Sequence, residues 1–275
     1  MDPSRETIGW TVSGFASTTA RQIRVGSILL FYVIGVVAKQ DWRNVFLLHA
    51  LAFAVVLLVV TTVPREEKSL PSATTATVTP QRSAPGGIPI GLMLFGATCG
   101  MFQTGYQLFL PYHLKGIGLG GPELMSRIIM VLAVAGATVS FCYGWIRARL
   151  SVVQIFMLGF AMVATGMAIT VVAKDFSLVI TGMVIVGAGV GLLGPNLFSA
   201  SSAVAPAESR ARSIGFARAG VYAGPLIAQL PLEPLVHSAG PTAAMMAFAG
   251  FGALMIVIAA FCRPLFKPYG GERAA

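Results

Sequence analysis

Charge is what this sequence has least of. Only 11% of its 275 residues are Asp, Glu, Lys or Arg, against about 25% in an average soluble domain. Hydrophobic residues make up 56%. So little charge cannot dress a water-facing surface, which excludes an ordinary soluble enzyme. In a bilayer the outer faces meet hydrocarbon and need none. Acidic residues are scarcer still, 10 against 19 basic, and none falls near the middle of any long apolar run. Cysteine is limited to Cys99, Cys142 and Cys262, far apart and in apolar surroundings. That excludes a disulfide framework and a thiolate metal site, and the three read as small apolar fillers. His49, His113 and His237 each stand alone, without a metal partner at ligand spacing. No GxSxG, HExxH or P-loop pattern and no paired carboxylates occur, so no enzyme and no cofactor is expected. The net charge of +9 is spread singly or in twos and threes between apolar segments, with no basic tract. It argues against nucleic acid. Residues 1–10 lack the apolar core of a signal peptide.

What is present is length without charge. A helix needs about 20 mainly apolar residues to cross hydrocarbon. Four segments meet this with no Asp, Glu, Lys or Arg: 45–63, 152–173, 176–204 and 243–262. Four others keep an apolar majority with interruptions: 17–38, 88–111, 124–146 and 214–236. The expectation is an all-α, multi-pass membrane protein of about eight spans. Eight spans place both termini on one side. Of the 19 Lys and Arg, five (Lys39, Arg43, Lys115, Arg127 and Lys174) fall on the side away from the termini, and the other 14 fall with them. The positive-inside bias puts both termini in the cytoplasm of a plasma or bacterial inner membrane. Arg127 stands four residues after Glu123, in position to pair along the helix. Trp42 and Trp145 fall at helix ends, where an amphipathic ring is favoured.

The segment 64–87 is rich in Pro, Ser, Thr and charge and reads as a flexible cytoplasmic linker. It divides the chain into residues 1–63, with two helices, and residues 88–275, with six.

Several stretches then carry a family resemblance. Gly187-Ala-Gly-Val-Gly191, Pro195, Pro206, Arg210, Arg212, Gly215 and Gly220-Val-Tyr-Ala-Gly224-Pro225 resemble the tenth and eleventh helices of the major facilitator superfamily and the loop between them. Leu110-Pro111-Tyr112-His113-Leu114 resembles the end of its seventh helix, and Asp41-Trp42-Arg43 with Phe46 the break before its sixth. The linker falls where that family joins two six-helix halves. The resemblance implies a bundle of helices five to twelve, with a truncated N-terminal half lacking the first four. Any coupling carboxylate would belong to those four. It also implies that Gly144, Arg147 and Arg149 are the remnant of a cytoplasmic loop motif, with Ala148 standing where an acidic residue is expected.

Candidate functional residues follow from polarity and spacing. Gln103, Tyr106 and Gln107 stand three and four apart on α-helical spacing. So do Arg218, Tyr222, Pro225 and Gln229. Polar side chains in a span turn inward, so both faces are candidates for a substrate cavity, against plain interhelical hydrogen bonding. Arg218 lies near the cytoplasmic end, where it either snorkels or attracts an anion. Asn196 is a further cavity candidate. Gly187, Gly191, Gly220 and Gly224, at four-residue spacing, allow close helix approach. With the kink-forming Pro195 and Pro225 they are candidates for packing or gating.

The reading is a secondary transporter moving a small solute, in uptake or efflux, by alternating access. Its surroundings are the lipid bilayer, and a separate chain could supply the missing helices. The alternative is a non-transporting membrane fragment or regulatory partner subunit without a complete pathway.

Overall fold

The computed structural model describes residues 87–206 and 209–266, with isolated positions at 50, 53, 56, 57 and 61. The expected spans at 17–38 and 45–63, and the linker at 64–87 except its last residue, lie outside the described residues apart from those positions.

Among the described residues six α-helices follow one another: α1 (Gly87–Gly116), α2 (Pro122–Phe141), α3 (Tyr143–Arg147), α4 (Val152–Val172), α5 (Phe176–Ala203) and α6 (Arg210–Phe261). A 3-10 turn, Arg263–Phe266, closes the described chain. Among the described residues there is no strand. Four helices (α2, α4, α5 and α6) are long and apolar enough to cross a membrane, by length and composition. Helix α1 is as long but carries Gln103, Tyr106 and Gln107 at its centre.

Local chemistry sets the boundaries. Helix α1 was expected to stop at Pro111 but runs on to Gly116. A proline removes one N–H and crowds the carbonyl four residues back, yet the next turn continues with His113 and Leu114 buried in the bundle. Gly118, at φ 78°, then turns the chain with a conformation that glycine alone adopts cheaply. Pro122 opens α2 at a position where its missing N–H costs nothing. The span expected at 124–146 is divided, because α2 ends at Phe141 and α3 is a separate short turn. Ser151 and Gln154 form a reciprocal cap at the start of α4: the Gln154 backbone N–H donates to the Ser151 hydroxyl, and Gln154 Oε1 accepts from the Ser151 N–H. Asp175 caps α5 by accepting from the Leu178 N–H at 2.9 Å.

Helix α6 has 52 residues, about 78 Å if straight, while the hydrocarbon is only about 30 Å thick. It breaks at Gly240, with φ 85° and ψ 168°, followed by Pro241. Two antiparallel arms result, residues 210–239 and 241–261, with almost no loop between them.

Two kinds of seam hold the bundle. In the first, backbone meets backbone. A Cβ built on Gly96 or Gly100 would press into the carbonyls of Ala217 and Val221, and one on Gly220 or Gly224 into those of Met93 and Ala97. The paired numbers rise together, so α1 and arm 210–239 run in the same direction. Gly187 meets Leu132 and Gly191 meets Gly136 in the same way, making α2 and α5 parallel. Gly166 faces Gly182 and Gly159 faces Gly189, making α4 and α5 antiparallel.

The second seam is aromatic. Phe102 packs edge-on against Phe160 and Phe248 and stacks on Phe251. Phe95 meets Phe156, Phe160 and Phe266 edge-on. These rings lock α1, α4 and arm 241–261 into one buried cluster.

Candidate functional site

The polar residues of α1 part company in three dimensions. Tyr106 is buried at 2% exposure within the apolar cluster. Gln103 is exposed and Gln107 half-buried. Gln107 Nε2 donates to the Tyr106 hydroxyl at 3.1 Å, so this neighbour satisfies a phenol that the core would otherwise strand.

On arm 210–239 the candidate polar residues lie outward, while Ser213 is buried. Tyr222 is 71% exposed, and Arg218 and Gln229 are exposed too. The Arg218 guanidinium lies over the Phe198 ring, 5.5 Å from its centroid, which places the start of this arm beside the end of α5. Pro225 is half-buried between them. The seam sets the register: Gly100 meets Val221, and Gly224 meets Ala97 and Met101. Gln103, Gln107, Tyr222 and Gln229 therefore fall within about two helical turns of that crossing, on two adjacent parallel helices.

Asn196 sits elsewhere. It is fully buried. Its Oδ1 accepts from the Tyr143 hydroxyl at 3.1 Å, and its Nδ2 donates to the Val152 carbonyl at 2.9 Å. One amide thereby ties α5 to both sides of the α3–α4 turn. Pro195 beside it is half-buried. Within the turn, Gly144 is exposed with open space around it. Arg147 Nη1 donates to the Leu150 carbonyl at 3.0 Å, and the Arg149 guanidinium stacks 3.6 Å above the Trp145 ring.

At the opposite end of the bundle is a knot with no forerunner in the spacing arguments. His113 is buried at 4% exposure. Its Nε2 donates to the Thr170 carbonyl at 3.0 Å, and its Nδ1 lies 3.4 Å from the Thr242 hydroxyl. It joins α1, α4 and the start of arm 241–261. Ser140 similarly bridges α2 to α5 by donating to the Gly191 carbonyl at 2.6 Å. The available signal was an isolated polar residue in an apolar run; its partners come from distant parts of the chain.

Among the described residues no three of His, Cys, Asp and Glu are grouped to hold a metal. The model of the Major Facilitator Superfamily matches residues 11–228, well over half of the chain. The chain belongs to the Major Facilitator Superfamily. No match is found among curated proteins. This superfamily chain is thus an all-helical integral membrane protein of a transporter family, a family defined by transport rather than by enzymatic chemistry. The match reaches into arm 210–239, so it takes in α1, α5 and the exposed Arg218 and Tyr222.

Proposed function

We propose that the chain moves a small solute across the membrane by alternating access, with the paired helices α1 and arm 210–239 lining its path. One observation carries this reading: Gln103, Arg218, Tyr222 and Gln229 are exposed on these two adjacent helices in an otherwise apolar protein. Polar side chains facing hydrocarbon are costly, so a face that keeps several of them open is a water-facing one. Tyr106 and Asn196 serve a different role. They are consumed by internal hydrogen bonds and position helices rather than meet solute.

The glycine seams suit such movement. Gly187, Gly191, Gly220 and Gly224 put backbone against backbone, so the paired helices can rock together as close-packed units. Pro195 and Pro225 each free a carbonyl within a seam-forming helix. The charge distribution favours cytoplasmic termini. A separate chain supplying additional helices would complete the path.

Single cysteines test the reading after Cys99, Cys142 and Cys262 are replaced. Cysteines at 103, 222 and 229 are expected to react with a membrane-impermeant, water-soluble thiol reagent in native membranes, while those at 106 and 196 stay protected. Protection at 103, 222 and 229 would overturn the aqueous path and make the chain a non-transporting membrane subunit.

A further inference from the structure

The two ends of the bundle carry different charge. At the end bearing α3 lie Arg147, Arg149, Arg210, Arg212, Arg218 and Arg263, with no Asp or Glu among the described residues there. At the other end Lys115, Arg127 and Lys174 are interspersed with Glu123, Asp175 and Glu233, and Arg127 donates to Glu123 at 2.7 Å. The α3 end therefore has cations without an anion of its own in the described fold.

Within that end the α3–α4 turn is the most organised feature. The Arg149 guanidinium lies over the Trp145 ring, and at this exposed position a guanidinium held on a ring face keeps N–H donors for a further partner. Arg147 uses one donor on the Leu150 carbonyl, which holds its side chain over the same turn and leaves the others. The turn is a fixed platform, because Tyr143 before it and Val152 after it are both bonded to the one buried amide of Asn196. Two guanidinium groups on a fixed platform have little freedom left to lose on meeting an anion. Trp145, 64% exposed, is an amphipathic ring at a helix end, the position such rings take at the headgroup level.

We propose that the Trp145–Arg149 turn binds the phosphate of an acidic phospholipid in the leaflet it faces. Arg147 and Arg149 donate to the phosphate oxygens, and Trp145 rests at the boundary between headgroup and acyl chain. The indole favours a lipid over dissolved phosphate, since a free ion has no apolar part for it to cover. Basic side chains beside a membrane surface contribute on the order of fivefold in acidic-lipid affinity each. The site does not depend on transport.

The test uses the full chain with Trp10→Phe and Trp42→Phe, leaving Trp145 as the sole indole, in phosphatidylcholine nanodiscs. Brominated phosphatidylglycerol or brominated phosphatidylcholine is added at equal mole fraction. Several-fold stronger quenching by the brominated acidic lipid is expected. Arg149→Gln, at an exposed position, should lower the preference, and adding Arg147→Gln should abolish it. Arg127→Gln at the other end should leave it intact. Equal quenching by both lipids in the parent, or a preference that survives both glutamines, would overturn the proposal. Loss of the preference on adding inorganic phosphate would overturn the lipid assignment in favour of a soluble anion.

Discussion

The glycine seams and the phenylalanine cluster solve the same packing problem in opposite ways. Between α1 and arm 210–239, Gly96, Gly100, Gly220 and Gly224 remove side chains until backbones touch. Between α1, α4 and arm 241–261, Phe95, Phe102, Phe156, Phe160, Phe248 and Phe251 fill the space with rings. In lipid there is little hydrophobic drive between helices, so both rely on close van der Waals contact. They differ in what a substitution meets: backbone that cannot yield in the first, side chains that can repack in the second. Helix α1 belongs to both seams, packed backbone to backbone on one side and ring to ring on the other.

Substitutions can break that contrast. The largest effect is expected for Gly220→Leu. Its Cβ alone would press into the Met93 carbonyl, and no flexible side chain is there to yield. The two helices would have to separate, and no folded protein is expected to survive detergent extraction, as size-exclusion chromatography would show. Phe102→Ala comes next. It empties the centre of the ring cluster and should cost about 3–5 kcal/mol, read as a lowered unfolding midpoint in mixed micelles with the fold retained. The smallest effect sharpens the comparison by reversing sign. Gly250, on arm 241–261, has nothing within 4 Å of a built Cβ. Gly250→Ala should therefore stabilise by up to about 1 kcal/mol through helix propensity, where any side chain at Gly220 destabilises. A loss at Gly250 equal to that at Gly220 would mean that helical glycine as such, and not backbone contact, matters here.

Much of the helix layout was legible because bilayer crossing is written as length and hydropathy. The segment expected at 152–173 appears as Val152–Val172, and that at 176–204 as Phe176–Ala203. The helix expected at 88–111 runs five residues further, since burial of His113 and Leu114 holds one more turn after Pro111. The four-residue spacing of Gly187, Gly191, Gly220 and Gly224 pointed to close approach. The same signal was available in Gly96 and Gly100, and a seven-residue version in Gly159 with Gly166 and Gly182 with Gly189. The polar residues were less readable. Gln103 and Tyr106 share a sequence pattern but not an environment. Asn196 and His113 find partners 44 and 57 residues away, and spacing along one helix carries no information about a neighbour on another.

What the sequence determined by itself was the medium and the element type: scarce charge points to lipid, and continuous apolar runs of about 20 residues satisfy their backbone there as helices. It also set where those helices start and turn, through Asp175, Ser151, Gly118 and Gly240. Only the tertiary structure decided which helix lies against which, in which direction, and which polar group is consumed in a knot or left open. Those outcomes depend on matching two surfaces from distant parts of the chain, and a periodicity within one segment describes only one of them.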